Sequence, residues 1–184
     1  MLLLILGVLT WSALHMWKRV APASRASYGD KGAYIVGIGV IISIAMMVLG
    51  YRAAEGTVYW GRTSAMTGIN NLLRVSAFYL FAASGAKTKV TKAIRHPQLT
   101  AMMVFAVAHL LVNGDTPSFV LFGGLGIWAF VQMQLINRAM GPRGPYHPVP
   151  IKKEVTAVIA TVVVVIVVAL VEGLVAAWIA CLWL

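Results

Sequence analysis

The residues with most capacity for chemistry are four histidines, one arginine and one glutamate. His15, His109, Arg74 and Glu172 fall inside long apolar stretches, where an ionisable group is expensive and marks a functional position by default. His96 and His147 lie in the polar connections. Neutral imidazole is a good ligand for haem iron, and helical bundles hold haem between facing helices. Two histidines on different apolar segments therefore suit axial ligation, while the alternative is that each hydrogen-bonds a carbonyl across a helix interface. Arg74 suits a counter-charge to a haem propionate, to a substrate anion or to Glu172. Alternatively it snorkels toward the outer surface beside Asn70 and Asn71. Glu172 reads as a structural group near the outer interface, and His147 as a loop residue fixed between prolines. No H-E-x-x-H, phosphate-binding glycine loop or G-x-S-x-G elbow is present, and the five carboxylates are too scattered for a two-carboxylate hydrolase. The single cysteine, Cys181, permits no internal disulfide.

The elements that must position these groups are membrane spans. Of 184 residues, 60% are hydrophobic and 11% charged, far from the roughly 25% charged residues of a soluble domain. A span needs about 20 apolar residues, so the chain holds about six with short loops. They read as Met1 to Trp17, Ala33 to Tyr51, Met66 to Gly85, Gln98 to Val112, Pro117 to Ile136, and Val155 to Leu184. The last is too long for one perpendicular crossing: it either tilts strongly or ends near Glu172-Gly173, with the tail LVAAWIACLWL against its neighbours. All seven prolines fall at or between these segments, as expected where lipid cannot replace a lost backbone hydrogen bond. The predicted fold is a single all-α polytopic bundle over residues 1–184, with no internal repeat and no soluble domain. Met46-Met47, Met102-Met103 and the tryptophans read as packing filler and interfacial anchors.

The net charge of +10 then becomes a topology signal. Loop 18–32 carries Lys18, Arg19, Arg25 and Lys31, and loop 86–97 carries Lys87, Lys89, Lys92 and Arg95. Loop 137–154 adds Arg138, Arg143, Lys152 and Lys153, leaving only Arg52 and Arg62 for the alternate loops. This pattern predicts cytoplasmic basic loops and both termini on the outer side, with the lipid bilayer and not nucleic acid as partner. Counting from the prolines, His15 lies about 10 Å from the cytoplasmic break and His109 about 18 Å. Tilt can absorb that offset, yet by depth alone His15 with His96 is an equally open pair.

Three strings carry a resemblance: WSALHMWKR in the first segment, RHPQLTAMMVFAVAHLLVNGD at 95–115, and LFGGLGIWAF after it. Together they resemble the NnrU family of bacterial membrane proteins, whose relatives include 15-cis-zeta-carotene isomerase. The resemblance is strongest over residues 1–140. It implies haem b held by the first-helix histidine and by the histidine thirteen residues beyond that of the Arg-His-Pro motif, here His15 and His109; Arg74, from its own place in the third segment, is the further cofactor-binding candidate. It also implies a role in denitrification, the respiration of nitrite and nitric oxide, as a redox or accessory component among respiratory membrane proteins. A haem-dependent cis–trans isomerase acting on an apolar polyene is the alternative that the isomerase relative implies. The triplet Arg95-His96-Pro97 is also similar to that of integral-membrane methyltransferases. Here it continues Gln98-Leu99-Thr100-Ala101, with no acidic cluster farther on, which puts that likeness in doubt.

Overall fold

Charges and prolines end each apolar run, and in the computed structural model each run is a helix with ends close to those expected. The structure describes residues 1–142 and 148–182, with side chains as far as 174. The expectations for Arg143, His147 and the Cys181 side chain fall outside the described residues. In chain order the elements are α1 (Leu2–Val20), α2 (Pro22–Ser27), α3 (Lys31–Arg52), β1 (Val58–Trp60), α4 (Ser64–Ala86) and α5 (Val90–Ala93). They continue with α6 (Pro97–Val112), β2 (Gly114–Asp115), α7 (Thr116–Ser118), a π-helical turn at Phe119–Gly123, α8 (Gly124–Met140) and α9 (Ile151–Leu182). Pro22, Pro97 and Pro117 sit in the first turns of α2, α6 and α7, where the missing N–H has no helical partner to lose. The helix α9 runs unbroken through Gly173, so the tail after Glu172 continues the helix rather than folding back. One glycine costs a helix only about 1 kcal/mol, whereas breaking it in lipid strands backbone groups.

Among the described residues, three helices are long and apolar enough to cross a membrane: Lys31–Arg52, Thr116–Met140 and Ile151–Leu174. The shorter α6 is also apolar, and α1 and α4 owe their lower hydropathy to the groups with chemistry on them: His15, Lys18 and Arg19 in α1, and Asn70, Asn71 and Arg74 in α4.

The main contacts place the long helices side by side in the order α3, α1, α8, α6, α4, α9. The two end helices, α3 and α9, are the most apolar and show Ile38, Ile41, Val163 and Val167 outward, as lipid-facing surfaces do. Between α1 and α3 the backbones nearly touch. A side chain at Gly50 would meet the Leu4 backbone nitrogen at 2.5 Å, and Leu4, Val8, Met47 and Leu125 close the core beside it. Small residues also line the middle of the row, where Ala77 and Ala83 of α4 and Ala101, Ala106 and Ala108 of α6 are buried.

One element departs from the all-helical expectation. β1 and β2 form a two-stranded antiparallel pair, Val58 opposite Asp115 and Trp60 opposite Gly114. The Trp60 ring occupies the space that a side chain at Gly114 would need, and its indole N–H donates to the Leu110 carbonyl at 3.2 Å. This pair ties the α3–α4 connection over the end of α6.

Candidate functional site

The described candidate side chains gather in two cavities at opposite ends of the bundle. The first, about 460 Å³, lies at the end carrying the basic loops and is walled by α1, α4, α6 and α8. His15 enters it from the last third of α1. Its Nδ1 is 2.8 Å from the Trp11 carbonyl, which can only accept, so the proton sits on Nδ1 and the lone pair on Nε2. The ring is held between indoles, Trp11 at a centroid distance of 4.2 Å and Trp128 edge-on at 5.0 Å. Gln132, one helical turn beyond Trp128, donates from its amide to the His15 carbonyl at 3.3 Å.

His96 lines the same cavity, at the cap position before Pro97. Its Nε2 lies 2.8 Å from the Asn137 amide oxygen, an acceptor, which places its proton on Nε2 and its lone pair on Nδ1. Arg95 beside it donates to the Gly141 carbonyl at 2.7 Å, fixing a cation at the mouth. Three polar atoms on the cavity's lining residues are buried without a partner: the indole nitrogens of Trp11 and Trp128 and the amide oxygen of Gln132. Buried polar groups are normally satisfied, so these three, on α1 and α8, stand out from the rest of the lining.

The second cavity, about 510 Å³, lies at the other end, between the start of α4, the end of α6 and α9. His109 lines it. Its ring is stacked on Phe122 at 4.3 Å and 11° and packed against Phe105 at 4.3 Å, and its Nε2 is buried without a partner. Arg74 pairs with Glu172 at 2.5 Å, which joins α4 to α9 and selects one of the partners that the sequence left open for it. Arg62 donates to the Asn113 amide oxygen at 3.4 Å from the connection before α4. Asn70 donates to Asn71 at 3.2 Å while its own oxygen has no partner.

The structure thus brings His15 and His96 to one cavity and His109, Arg74 and Glu172 to another. His15 and His109 share none of the described cavities. Their neighbours in the chain segment running from the π turn into α8, Trp128 and Phe122, are six residues apart, a rise of about 9 Å, close to the offset estimated from the prolines. Trp11, Trp128 and Gln132 are functional candidates that sequence reasoning missed, because Trp residues in a membrane chain read as interfacial anchors. Trp128 is instead 7% exposed. The available signal was spacing: Trp11 precedes His15, and Trp128 precedes Gln132, by one helical turn each. Arg62, read only as a topology marker, also belongs to a cavity. Among the described residues, no group of three or more His, Cys, Asp or Glu side chains is placed to hold a bare metal ion.

A family model described as NnrU protein matches residues 3–180, nearly the whole chain. No curated protein and no solved structure matches.

Proposed function

The chain belongs to the NnrU family, and from that premise we propose that it is a multi-pass protein of the bacterial inner membrane that holds one haem b in the cavity at its basic end. On this reading it crosses the bilayer six times, with both termini periplasmic and the cavity on the cytoplasmic side; the twelve loop cations, read by the positive-inside rule, support that orientation. It serves nitrite and nitric oxide respiration as a redox or accessory component.

The observation that carries the haem reading is the state of the histidine rings. Metal-binding imidazoles almost always donate their other N–H to an oxygen acceptor, which fixes tautomer and orientation. His15 does so to the Trp11 carbonyl and His96 to Asn137, so each presents a lone pair from within one cavity. The ring of His109 makes no hydrogen bond among the described residues and is wedged between two phenylalanines. His15 with His96 is therefore the pair favoured here. The family resemblance instead names His109, whose buried unpartnered Nε2 is the feature in its favour. A macrocycle brings four ligands of its own, so one or two histidines suffice where a bare ion would need more.

When bound, haem supplies one-electron redox chemistry and an exchangeable axial position. The chain's own residues orient the His15 ring between two indoles, offer Arg95 to a propionate carboxylate, and exclude water with Phe81, Met102 and Trp128. The mostly apolar wall would also receive a polyene, which supports the isomerase as a second reading.

Reduced-minus-oxidised spectra of the protein purified in mild detergent test the haem claim, with His15→Ala, His96→Ala and His109→Ala alongside. We expect a haem b spectrum that His15→Ala abolishes. A colourless wild type, expressed with ample haem, ends the reading, and loss with His109→Ala but not His96→Ala reassigns the second ligand. Complementation of cells that accumulate 15-cis-zeta-carotene decides the isomerase reading.

A further inference from the structure

The cavity at the opposite end stands apart from the His15–His96 pairing favoured above, on which this inference rests, and its chemistry points to a different ligand. We propose that it is a binding site for a monovalent oxyanion group, held by Arg62 and Arg74. Two guanidiniums face it and only one carboxylate. Glu172 engages Arg74 at 2.5 Å but is itself 59% exposed, against 18% for Arg74, so it sits at the rim rather than inside. Arg62 has an amide oxygen at 3.4 Å for a partner and no carboxylate. The cavity therefore keeps one positive charge in surplus, that of Arg62 at its exposed edge.

The unpartnered atoms say that the site is incomplete. Among the described residues, the Nε–H of Arg74 is buried without an acceptor, and Nε2 of His109 is buried without a partner. A buried donor without an acceptor is costly, and a bound oxyanion supplies that acceptor to Arg74. Guanidinium is the group whose planar donors match a carboxylate-like or phosphate-like oxyanion in pairs, and a surplus of one charge fits a monoanion. The cavity, about 510 Å³, has room for a hydrated small anion or for the phosphodiester of a lipid headgroup. The recognition chemistry is the same for both sources.

Isothermal titration calorimetry on the detergent-solubilised full chain tests this, with sodium formate and sodium nitrate in one arm and phosphatidylglycerol in mixed micelles in the other. Saturable binding in either arm supports the site, and the arm that saturates identifies the source. Arg62→Gln, a change on an exposed connection, is expected to weaken binding at least tenfold with the melting temperature unchanged. Glu172→Gln is expected to tighten it several-fold, because the carboxylate no longer competes for Arg74. A structural role for the ion pair would give the opposite sign. Protein expressed without haem should bind equally well. Absence of saturation in both arms, or weaker binding by Glu172→Gln, overturns the proposal.

Discussion

The two cavities are built largely from the same helices entered from opposite ends, and they differ in how they treat charge. At the basic end, α1, α4, α6 and α8 enclose aromatic rings, two imidazoles with fixed tautomers and one arginine at the mouth. At the other end, α4, α6 and α9 enclose two arginines, a glutamate and a row of amides. The helix α6 reaches both, with His96 at its start and His109 thirteen residues on, about 20 Å along a straight helix. Because Ala101, Ala106 and Ala108 pack this helix tightly against its neighbours, the spacing is rigid. His96 and His109 therefore line different cavities. The difference teaches that intramembrane histidines in one chain need not belong to one site.

The sharpest way to break that separation is His15→Ala. The expected outcome is loss of essentially all haem absorbance, with the heat of anion binding at the far cavity unchanged. If both signals vanish together in a protein that still folds, the two cavities form one site and the comparison fails. Trp128→Ala comes next. It removes a 7%-exposed indole from the wall beside His15, a large-to-small change that costs about 3–5 kcal/mol in a packed interior. The melting temperature in detergent should fall by many degrees and haem content with it. Trp128→Phe keeps most of the packing, so it should recover most of the stability while leaving any shift in the haem spectrum that depends on the indole N–H.

Gly50→Ala tests the scaffold rather than either cavity. Its added carbon meets the Leu4 backbone, which cannot rotate away, so α1 and α3 must separate at a cost of about 1–3 kcal/mol. Since α1 carries His15 and contributes nothing to the anion cavity, haem affinity should fall and anion affinity should not. Equal effects at both ends, read by spectroscopy and calorimetry on the same sample, would show that the bundle responds as a single body.

These contrasts also show where reading the chain worked. Apolar runs ended by Lys18-Arg19, Arg52, Lys87 and Pro97 gave helix limits within a few residues, because backbone groups in lipid must be satisfied within the helix and charges stop the run. The offset between His15 and His109 was also readable, since prolines mark the helix ends and rise per residue is constant. The neighbour order of the helices was not readable, because several apolar faces could pack equally well against one another. For that reason the sharing of one cavity by His15 and His96, and the choice of Glu172 as partner of Arg74, came only from the structure. The β1–β2 pair was hidden as well. Three residues of strand stabilised by one tryptophan lying over one glycine leave no periodic pattern to detect.

The smallest effect is expected at Thr63, and it bears on the comparison from the charged side alone. Its hydroxyl accepts from the Met66 N–H at 3.2 Å and caps α4, whose first two turns carry Thr67 and Asn70 into the arginine-lined cavity directly after Arg62. Thr63→Ala should cost about 1 kcal/mol by leaving the first turn uncapped. The fraying stays within that turn, so the loss should appear as a two- to fivefold weaker anion affinity with haem content untouched. Ser84, which lines the His15 cavity, sits at the far end of the same helix. A change in the haem spectrum on removing the Thr63 cap would mean that α4 carries strain from one cavity to the other, and the two would then have to be described as coupled.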